Sequence, residues 1–518
     1  MKMTLQLSLP FHLLRPATAS ALTSWLRHLC TSRQWYKKDA NESKNDAIEP
    51  KNDAIEPKNG AIEPKNDASE PKDQWVEGLE KLKERFQEIH HRDVAFPYYA
   101  DICVIGGGAV GASVAYWLKQ RNEKLNVVVL ERDPSYSYAS STLSVGGIRQ
   151  QFSLPENIQL SQFGINFLRT MGRNLQVEGR DPPNPSFSPH GYMFAATEEG
   201  MDQLVKNIHL QRKYGAKVEL LTANDLKQQF PWMNVEGLAG ASHGLEGEGS
   251  FDPWAVIYAL KRKTISLGGH YIHGEAVGFA FDKTLEGEFF GHIGSQFNRI
   301  DKVLVKMDSG EMRFVKAAYY VVAAGAFAKN IAEMAGIGKG EGLLRHVLPI
   351  EPRKRYVFVF HCPDGPGFDC PMFIDPSGVY FRREGLAGVY LSGRSPPSPD
   401  LEPPISNLDV DYSFFDNHIW PILAHRVPAF QALKLRSAWA GYYDTCYFDE
   451  NAIIGPHPYH SNMYFAAGFS GHGIQQSMGV GRVVSEMIID GKCVTIDLGR
   501  FGFSRIMLNK PLLEENIV

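Results

Sequence analysis

Apolar residues in this chain fall into short unbroken runs that end in glycine. Asp101 to Ile105 is one such run, with no polar interruption after its first residue, the pattern of a strand buried on both faces in a parallel sheet. Gly106, Gly107, Gly108 and Gly111 follow it, and the apolar pattern continues as a helix to about Gln120. Asn126 to Leu130 (NVVVL) is a second buried strand, closed by Glu131. Far downstream, Tyr319 to Ala326 (YYVVAAGA) predicts a strand ending in a turn of small residues. Tyr464 to Gly473 (YFAAGFSGHG) predicts another strand that runs into glycines, with a helix from about Gln476 to Ile489 behind it.

The first hundred residues follow different rules. Trp75, Leu79, Leu82, Phe86 and Ile89 recur at helical spacing, so 74–97 is expected to be a short amphipathic helix and linker. Before it, 39–73 holds a seven-residue repeat: KNDAIEP starts at Lys44 and Lys51, KNGAIEP at Lys58 and KNDASEP at Lys65. A coiled coil is excluded because each unit ends in Pro, which costs about 3 kcal/mol in a helix interior, and no apolar seam runs through the repeat. A disordered spacer is expected. Met1 to Lys38 contains no Asp or Glu, whereas Lys2, Arg15, Arg27, Arg33, Lys37 and Lys38 are scattered among Leu, Ser and Thr, the composition of a mitochondrial transit peptide. Pro10, His12, Arg15 and Pro16 break the apolar stretch that a secretory signal would need.

Composition narrows the class further. At 518 residues the chain has room for two or three domains, and 43% apolar with 22% charged residues is ordinary for a globular protein. A net charge of -4 supplies no basic field, which sets nucleic acid aside. Cys30, Cys103, Cys362, Cys370, Cys446 and Cys493 are far apart and read as free thiols of a reducing compartment. The nearest candidate for a membrane span, the chargeless stretch Ile102 to Leu118, is at the lower limit of length, and its glycines argue against one.

Those glycines have a chemical reading. Gly106, Gly108 and Gly111 form G-x-G-x-x-G between a strand and a helix, with an acid, Glu131, twenty residues on. Gly106 permits the tight turn, Gly108 lets backbone approach a pyrophosphate and Gly111 allows close packing of helix on strand. The N-H groups at the helix start favour the phosphates, while the Glu131 carboxylate accepts hydrogen bonds from a ribose and repels a 2'-phosphate. FAD and NAD share this half. The second glycine turn, Gly468 to Gly473, more than 300 residues later, favours FAD because it can hold the far end of a longer ligand.

GGGAVG at Gly106–Gly111, Glu131-Arg132 with Ser140 and Ser141, VVAAGA at Val321–Ala326 and GFSGHG at Gly468–Gly473 resemble the D-amino-acid-oxidase-like flavoproteins. Sarcosine oxidase and dimethylglycine dehydrogenase are relatives in that family. LSVGGIRQQFSLPENIQLS, EPRKRYVFVF and SAWAGYYD look closer still to a mitochondrial branch implicated in assembly of respiratory complex I. The resemblance implies a mixed α/β and α+β fold: a Rossmann-like FAD-binding domain from 98–175, 245–345 and 435–500, with a discontinuous mixed-sheet substrate domain from 176–244 and 346–434. Residues 501–518 would be a C-terminal tail. Arg355–Phe360, Gly378–Arg382 and Val389–Gly393 would supply the sheet over the flavin.

By the same resemblance FAD is held by Gly106, Gly108, Gly111, Glu131, Arg132, Ser140, Ser141, Ala324, Gly325, Gly468, Gly471, His472 and Gly473. His472 either touches the flavin or only positions backbone. The positions used by relatives for covalent attachment fall on Ser144 and Tyr442, with Cys446 four residues beyond, so a non-covalent cofactor is expected. The lysine that holds a substrate carboxylate in sarcosine-oxidase relatives is replaced by Gln475, which leaves Arg149, Arg382 or Arg394 for that role. A second lysine, which assists oxygen, aligns near Tyr390. Arg353-Lys354-Arg355 and Arg382-Arg383 read equally as solvated charge. His457 and His460 have no acidic or cysteine company, so no metal is expected. The implied roles are a flavoprotein of the matrix or the matrix face of the inner membrane, with complex I subunits or assembly intermediates as partners, or a dehydrogenase for a small secondary or tertiary amine.

Overall fold

The computed structural model describes residues 96–281 and 299–515. The expected transit peptide, repeat and amphipathic helix lie outside the described residues.

The first apolar run forms β1 (Tyr99–Ile105), which passes through the glycine turn into α1 (Ala109–Arg121) and returns as β2 (Val127–Glu131). Ile102 to Ile105 and Val127 to Leu130 are buried, as a central parallel pair requires. β2 takes β8 (His270–Phe281) on its other side, and β1 takes β10 (Met312–Val322). β10 pairs in parallel with β17 (Met463–Ala467), whose outer neighbour is the antiparallel β16 (Ile453–Pro456). β8 and β10 also outrun this parallel core and meet the antiparallel β9 (Ile300–Met307), which completes a seven-stranded sheet.

An eight-stranded sheet stands beside it. Its order is β15 (Lys434–Cys446), β11 (Ile350–His361), β14 (Val389–Gly393), β13 (Tyr380–Glu384), β12 (Met372–Ile374), β4 (Tyr192–Ala196), β6 (Gly240–Gly244) and β5 (Val218–Thr222). Only β4 and β12 run parallel; the remaining neighbours are antiparallel. The segment expected from 435 onward in the FAD-binding part thus gives its first strand to this sheet, because β15 pairs with β11 along nearly its whole length.

Alternation on β11 separates the two faces of the sheet. Phe358 and Phe360 enter an aromatic core with Phe381, Tyr390, Phe414 and Phe430, while Val357 and Val359 face the opposite way with Leu391 and Trp439. The short β3 (Gly147–Ile148) and β7 (Gly249–Ser250) pair with each other. Helices α2 (Pro155–Asn174), α3 (Met201–Lys213) and α4 (Pro253–Ser266) precede α5 (Gly473–Ile489), which packs on α1 and α2. A Cβ on Gly481 would strike Ser113 of α1, so the approach of α5 to α1 depends on glycine. No described helix is long and apolar enough to cross a membrane; the stretch 102–118 is β1, the turn and α1.

Candidate functional site

A cavity of about 350 Å³ runs from the end of β2, past the start of α1, to the face of the eight-stranded sheet that carries Val357. That volume is in the usual range for small-molecule and cofactor sites.

At its first end the glycines divide the work. Gly106 has φ +102°, and a Cβ there would meet the Ala323 carbonyl oxygen. A Cβ on Gly111 would collide with the Gly106 carbonyl oxygen. Both are needed by the fold. At Gly108 only the Ser141 hydroxyl lies within 4 Å of an added Cβ, so this position borders open cavity. The first turn of α1 contains no acid, and Ala109 N-H donates to Ser141 Oγ at 3.3 Å. The N-H groups that a helix start leaves unpaired therefore meet the cavity with no acid of the helix's own first turn competing for them.

Glu131 is held by backbone: Gly107 N-H donates to Oε2 at 2.7 Å and Asp133 N-H to Oε1 at 2.8 Å. Burial pushes its carboxyl upward, against those two bonds. Arg132 lies with its guanidinium 4.0 Å from the centre of the Phe327 ring, and Ser140, Ala324 and Gly325 complete this end. The arrangement fits an adenosine diphosphate: N-H groups for the phosphates and an anchored carboxylate for the ribose.

The opposite end is built around Arg149, which follows β3. Its backbone N-H donates to Gln475 Oε1 at 2.8 Å and its Nη2 donates to His472 Nε2 at 2.9 Å. An arginine can only donate, so Nε2 of His472 is the unprotonated ring nitrogen and its proton resides on Nδ1. Burial, reinforced by Arg149, pushes His472 down to about 3. The Arg149 guanidinium lies 4.5 Å from the Phe152 ring centre and 4.6 Å from that of Phe194. It is buried, yet among the described residues no carboxylate stands within ion-pair distance of it. Tyr192, Tyr380, Tyr443 and Met372 line the wall beside it. Burial raises the Tyr192 hydroxyl to about 12, so it stays protonated as a donor.

Other expected positions fall elsewhere. Arg382 donates to the Val145 carbonyl at 3.0 Å and pairs with Glu384 at 2.6 Å, and it does not line the cavity. Arg394 donates to the His418 carbonyl at 3.3 Å, also outside it. Neither is placed to receive a substrate carboxylate. Gln475 lines the cavity, but its oxygen is committed to Arg149. Tyr390 is fully buried, donates to the Pro366 carbonyl at 2.6 Å and stacks on Phe360, away from the cavity. An oxygen-assisting lysine is therefore not to be sought at 390. Lysine is nonetheless absent from the cavity lining among the described residues, where Arg132, Arg149 and Arg355 are the arginine and lysine side chains.

Arg353-Lys354-Arg355 is not a solvated run. Arg355 Nη1 and Nη2 reach Glu402 at 2.8 and 3.0 Å, Arg353 Nη1 reaches it at 3.4 Å, and Lys354 Nζ donates to the Asn407 and Asp409 carbonyls at 3.2 and 2.9 Å. Tyr442, beside Lys354 in register, donates its hydroxyl to the Ile405 carbonyl at 2.8 Å. These bonds fasten residues 402–409 next to the cavity.

Gly471, His472 and Gly473 line the cavity, whereas Gly468 stands behind it with φ +88°. Two residues absent from the sequence reading hold the surroundings. Asp444 Oδ2 accepts from Gly468 N-H at 2.9 Å and Phe469 N-H at 3.1 Å, which fixes the second glycine turn, and burial raises its carboxyl to about 6. Glu248 accepts from Gln150 N-H at 2.9 Å and Gln151 Nε2 at 2.7 Å, and burial pushes it up to about 7 against those bonds and the pull of Arg149. Ser144 and Tyr442 line the cavity; Cys446 does not, and burial holds its thiol up at about 11.

Comparison with known proteins agrees with this geometry. Residues 101–487 match the family model described as FAD dependent oxidoreductase. The FAD-dependent oxidoreductase domain-containing protein 1 of Xenopus laevis is 50% identical over 433 residues, which cover 82% of this chain and 85% of that protein. Monomeric sarcosine oxidase of Bacillus sp. (strain B-0618) is 22% identical, covering 80% of this chain and 97% of that protein. Among solved structures, L-proline dehydrogenase from P. horikoshii superposes with a TM-score of 0.66 at 25% identity, covering 80% of this chain and all (100%) of that one. With the nucleotide cradle, the second glycine turn and most of its length matched, the chain belongs to the FAD dependent oxidoreductase family.

Proposed function

We propose that the protein is an FAD-dependent dehydrogenase for a small secondary or tertiary amine that bears a carboxylate. One observation carries the reading: a buried guanidinium, Arg149, opens on the cavity with no carboxylate within ion-pair distance among the described residues. A buried cation of this kind is stabilised by an anionic ligand. Proline and sarcosine, named in two of the proteins above, are both secondary amino acids. FAD, bound without a covalent bond, supplies the two-electron acceptor. Arg149 would grip the substrate carboxylate, Phe152 and Phe194 would shield that contact from water, and Gln475 would hold the Arg149 backbone. Neutral His472, whose Nε2 lone pair is already taken by Arg149, would serve as a support rather than as a base.

Glu248 gives this reading a pH dependence. A carboxylate bound to Arg149 draws on the cation that favours ionised Glu248, so its carboxyl rises further and binding takes up a proton. Acetate affinity for the FAD-loaded protein should be highest below about pH 7 and fall as pH rises through that value. The dependence should flatten in Glu248→Gln. Titrations from pH 5.5 to 8.5 decide the point; an unchanged profile in the variant would rule the role out.

That no lysine lines the cavity among the described residues bears on the electron acceptor. Arg355 is neutralised by Glu402, Arg132 stands at the nucleotide end, and in this reading Arg149 is taken by the substrate or product carboxylate, so little free positive charge awaits the negative charge that develops on oxygen as it is reduced. Reduced protein should react slowly with oxygen and quickly with an artificial carrier. Stopped-flow mixing reads both rates, and oxygen outpacing the carrier would make the protein an oxidase.

A second reading concerns respiratory complex I in mitochondria. The segments that resemble the complex I assembly branch include Leu143 to Ser161, Glu351 to Phe360 and Ser437 to Asp444; the last two are paired strands, and all three supply cavity-lining residues. This favours a role in which the FAD-bound form, at the matrix face of the inner membrane, serves complex I subunits or assembly intermediates. In cells lacking the protein, Arg149→Ala at matched level should restore complex I on native gels if the FAD-bound shape suffices. Failure of that variant, with FAD retained, would make catalysis the essential activity.

A further inference from the structure

We infer that the segment Leu512–Glu515 is a brace for Arg149, with Glu514 as a positioning residue. The inference rests on Arg149 as the holder of the substrate carboxylate. Glu514 touches neither Arg149 nor the cavity lining. Its carboxylate instead grips both sides of the start of α2: Oε2 accepts from Ser153 N-H at 2.6 Å and Ser153 Oγ at 2.5 Å, and Oε1 accepts from Asn157 Nδ2 at 2.5 Å. Glu515 N-H donates back to Ser153 Oγ at 2.6 Å, so Ser153 is enclosed by the segment.

Two short paths lead from these contacts to Arg149. Along the chain, Ser153 follows Phe152, whose ring lies 4.5 Å from the Arg149 guanidinium and meets the His472 ring edge-on at 5.2 Å. A shift of Ser153 moves this support directly. Through space, Asn157 Oδ1 accepts from Gln476 Nε2 at 3.0 Å, and the preceding residue, Gln475, binds the Arg149 N-H. The brace thus constrains the guanidinium through its ring support and the main chain through its amide anchor.

The brace is itself anchored. Leu512 N-H donates to Asp449 Oδ2 at 3.0 Å and the Leu512 carbonyl accepts from Asn451 Nδ2 at 2.7 Å. Asp449 is buried and held by Arg505 through two bonds of 2.7 and 3.0 Å. Beyond Glu514, the Glu515 carbonyl accepts from Asn207 of α3 at 2.8 Å. A negative group at the start of α2 also suits the positive end of that helix. Helix capping alone would add stability without altering Arg149, and this is the alternative the test must separate.

The probe is sodium acetate, titrated into FAD-loaded protein and followed by flavin absorbance. Glu514→Ala and Ser153→Ala should each weaken acetate binding about tenfold, since a displacement of about 1 Å at a positioned group can cost up to about a hundredfold, while FAD content stays at the wild-type value. In an Arg149→Lys background, which keeps a cation but loses the fork, Glu514→Ala should have little further effect. Wild-type acetate affinity in both single variants, or the same tenfold loss in the Arg149→Lys background, would overturn the brace. Acetate bound as tightly by Arg149→Ala as by wild type, or not bound by wild type at all, would instead bring down the reading of Arg149 and the brace with it.

Discussion

Gly108→Leu should lower FAD affinity by roughly 5- to 150-fold and leave the fold intact. The magnitude is an overpacking cost of about 1 to 3 kcal/mol converted to a binding constant. The expectation is specific to this glycine because a Cβ there finds only the Ser141 hydroxyl within 4 Å and points a longer side chain into the phosphate end of the cavity. At Gly106 a side chain would press on the Ala323 carbonyl, and at Gly111 on the Gly106 carbonyl, so variants there should lose stability first. Titration of apoprotein with FAD, beside a thermal melt of the same apoprotein, separates the cases. Unchanged FAD affinity in Gly108→Leu would mean that the turn does not face the pyrophosphate.

Arg149→Ala should cost substrate binding far more than FAD. Removing one partner of a buried, hydrogen-bonded charge pair costs about 2 to 5 kcal/mol, or roughly 30- to 4000-fold in affinity for a carboxylate substrate. FAD should stay in place, because Glu131 is held by the Gly107 N-H at the phosphate end while Arg149 Nη2 goes to His472 at the other end of the cavity. Arg149→Lys should recover only part of the loss, since an ammonium cannot present the planar fork and fits the space between Phe152 and Phe194 poorly. Acetate titration and flavin content, measured on the same preparations, read both effects. Loss of FAD in parallel with acetate would mean that Arg149 holds the cofactor end of the cavity.

Much of the cofactor half was legible in the sequence because local rules determine it. A parallel strand reads as an unbroken apolar run, a phosphate turn needs glycine at fixed offsets, and the acid after β2 follows from the length of one strand-helix-strand unit. The strand expected at Asn126 to Leu130 lies at Val127 to Glu131, and Glu131 lines the cavity. The substrate half depends on which way side chains face after strands distant in sequence have paired. Arg382 and Arg149 look alike as isolated cations, yet Arg382 is consumed by Val145 and Glu384 while Arg149 opens on the cavity. The resemblance sets the oxygen-assisting position near Tyr390 but does not say which sheet face that residue serves; here it joins the aromatic core. The pairing of Lys434–Cys446 with Ile350–His361 is illegible in the sequence for the same reason. Asp444 and Glu248 did leave a signal. An acid at the end of the apolar SAWAGYYD strand and an acid between Gly247 and Gly249 are both costly unless backbone or amide N-H groups receive them, and such groups do.

In the proposed function this cavity holds FAD and Arg149 directs a carboxylate-bearing amine to it. The most direct test of this is anaerobic loss of flavin absorbance with matched pairs of secondary and tertiary amines, each pair differing only in the carboxylate. At least one carboxylate-bearing member should bleach the flavin of wild-type protein, its carboxylate-free partner should not, and Arg149→Ala should abolish the difference. Equal bleaching by both members of a pair, or an oxidised flavin with every amine tried, would contradict it.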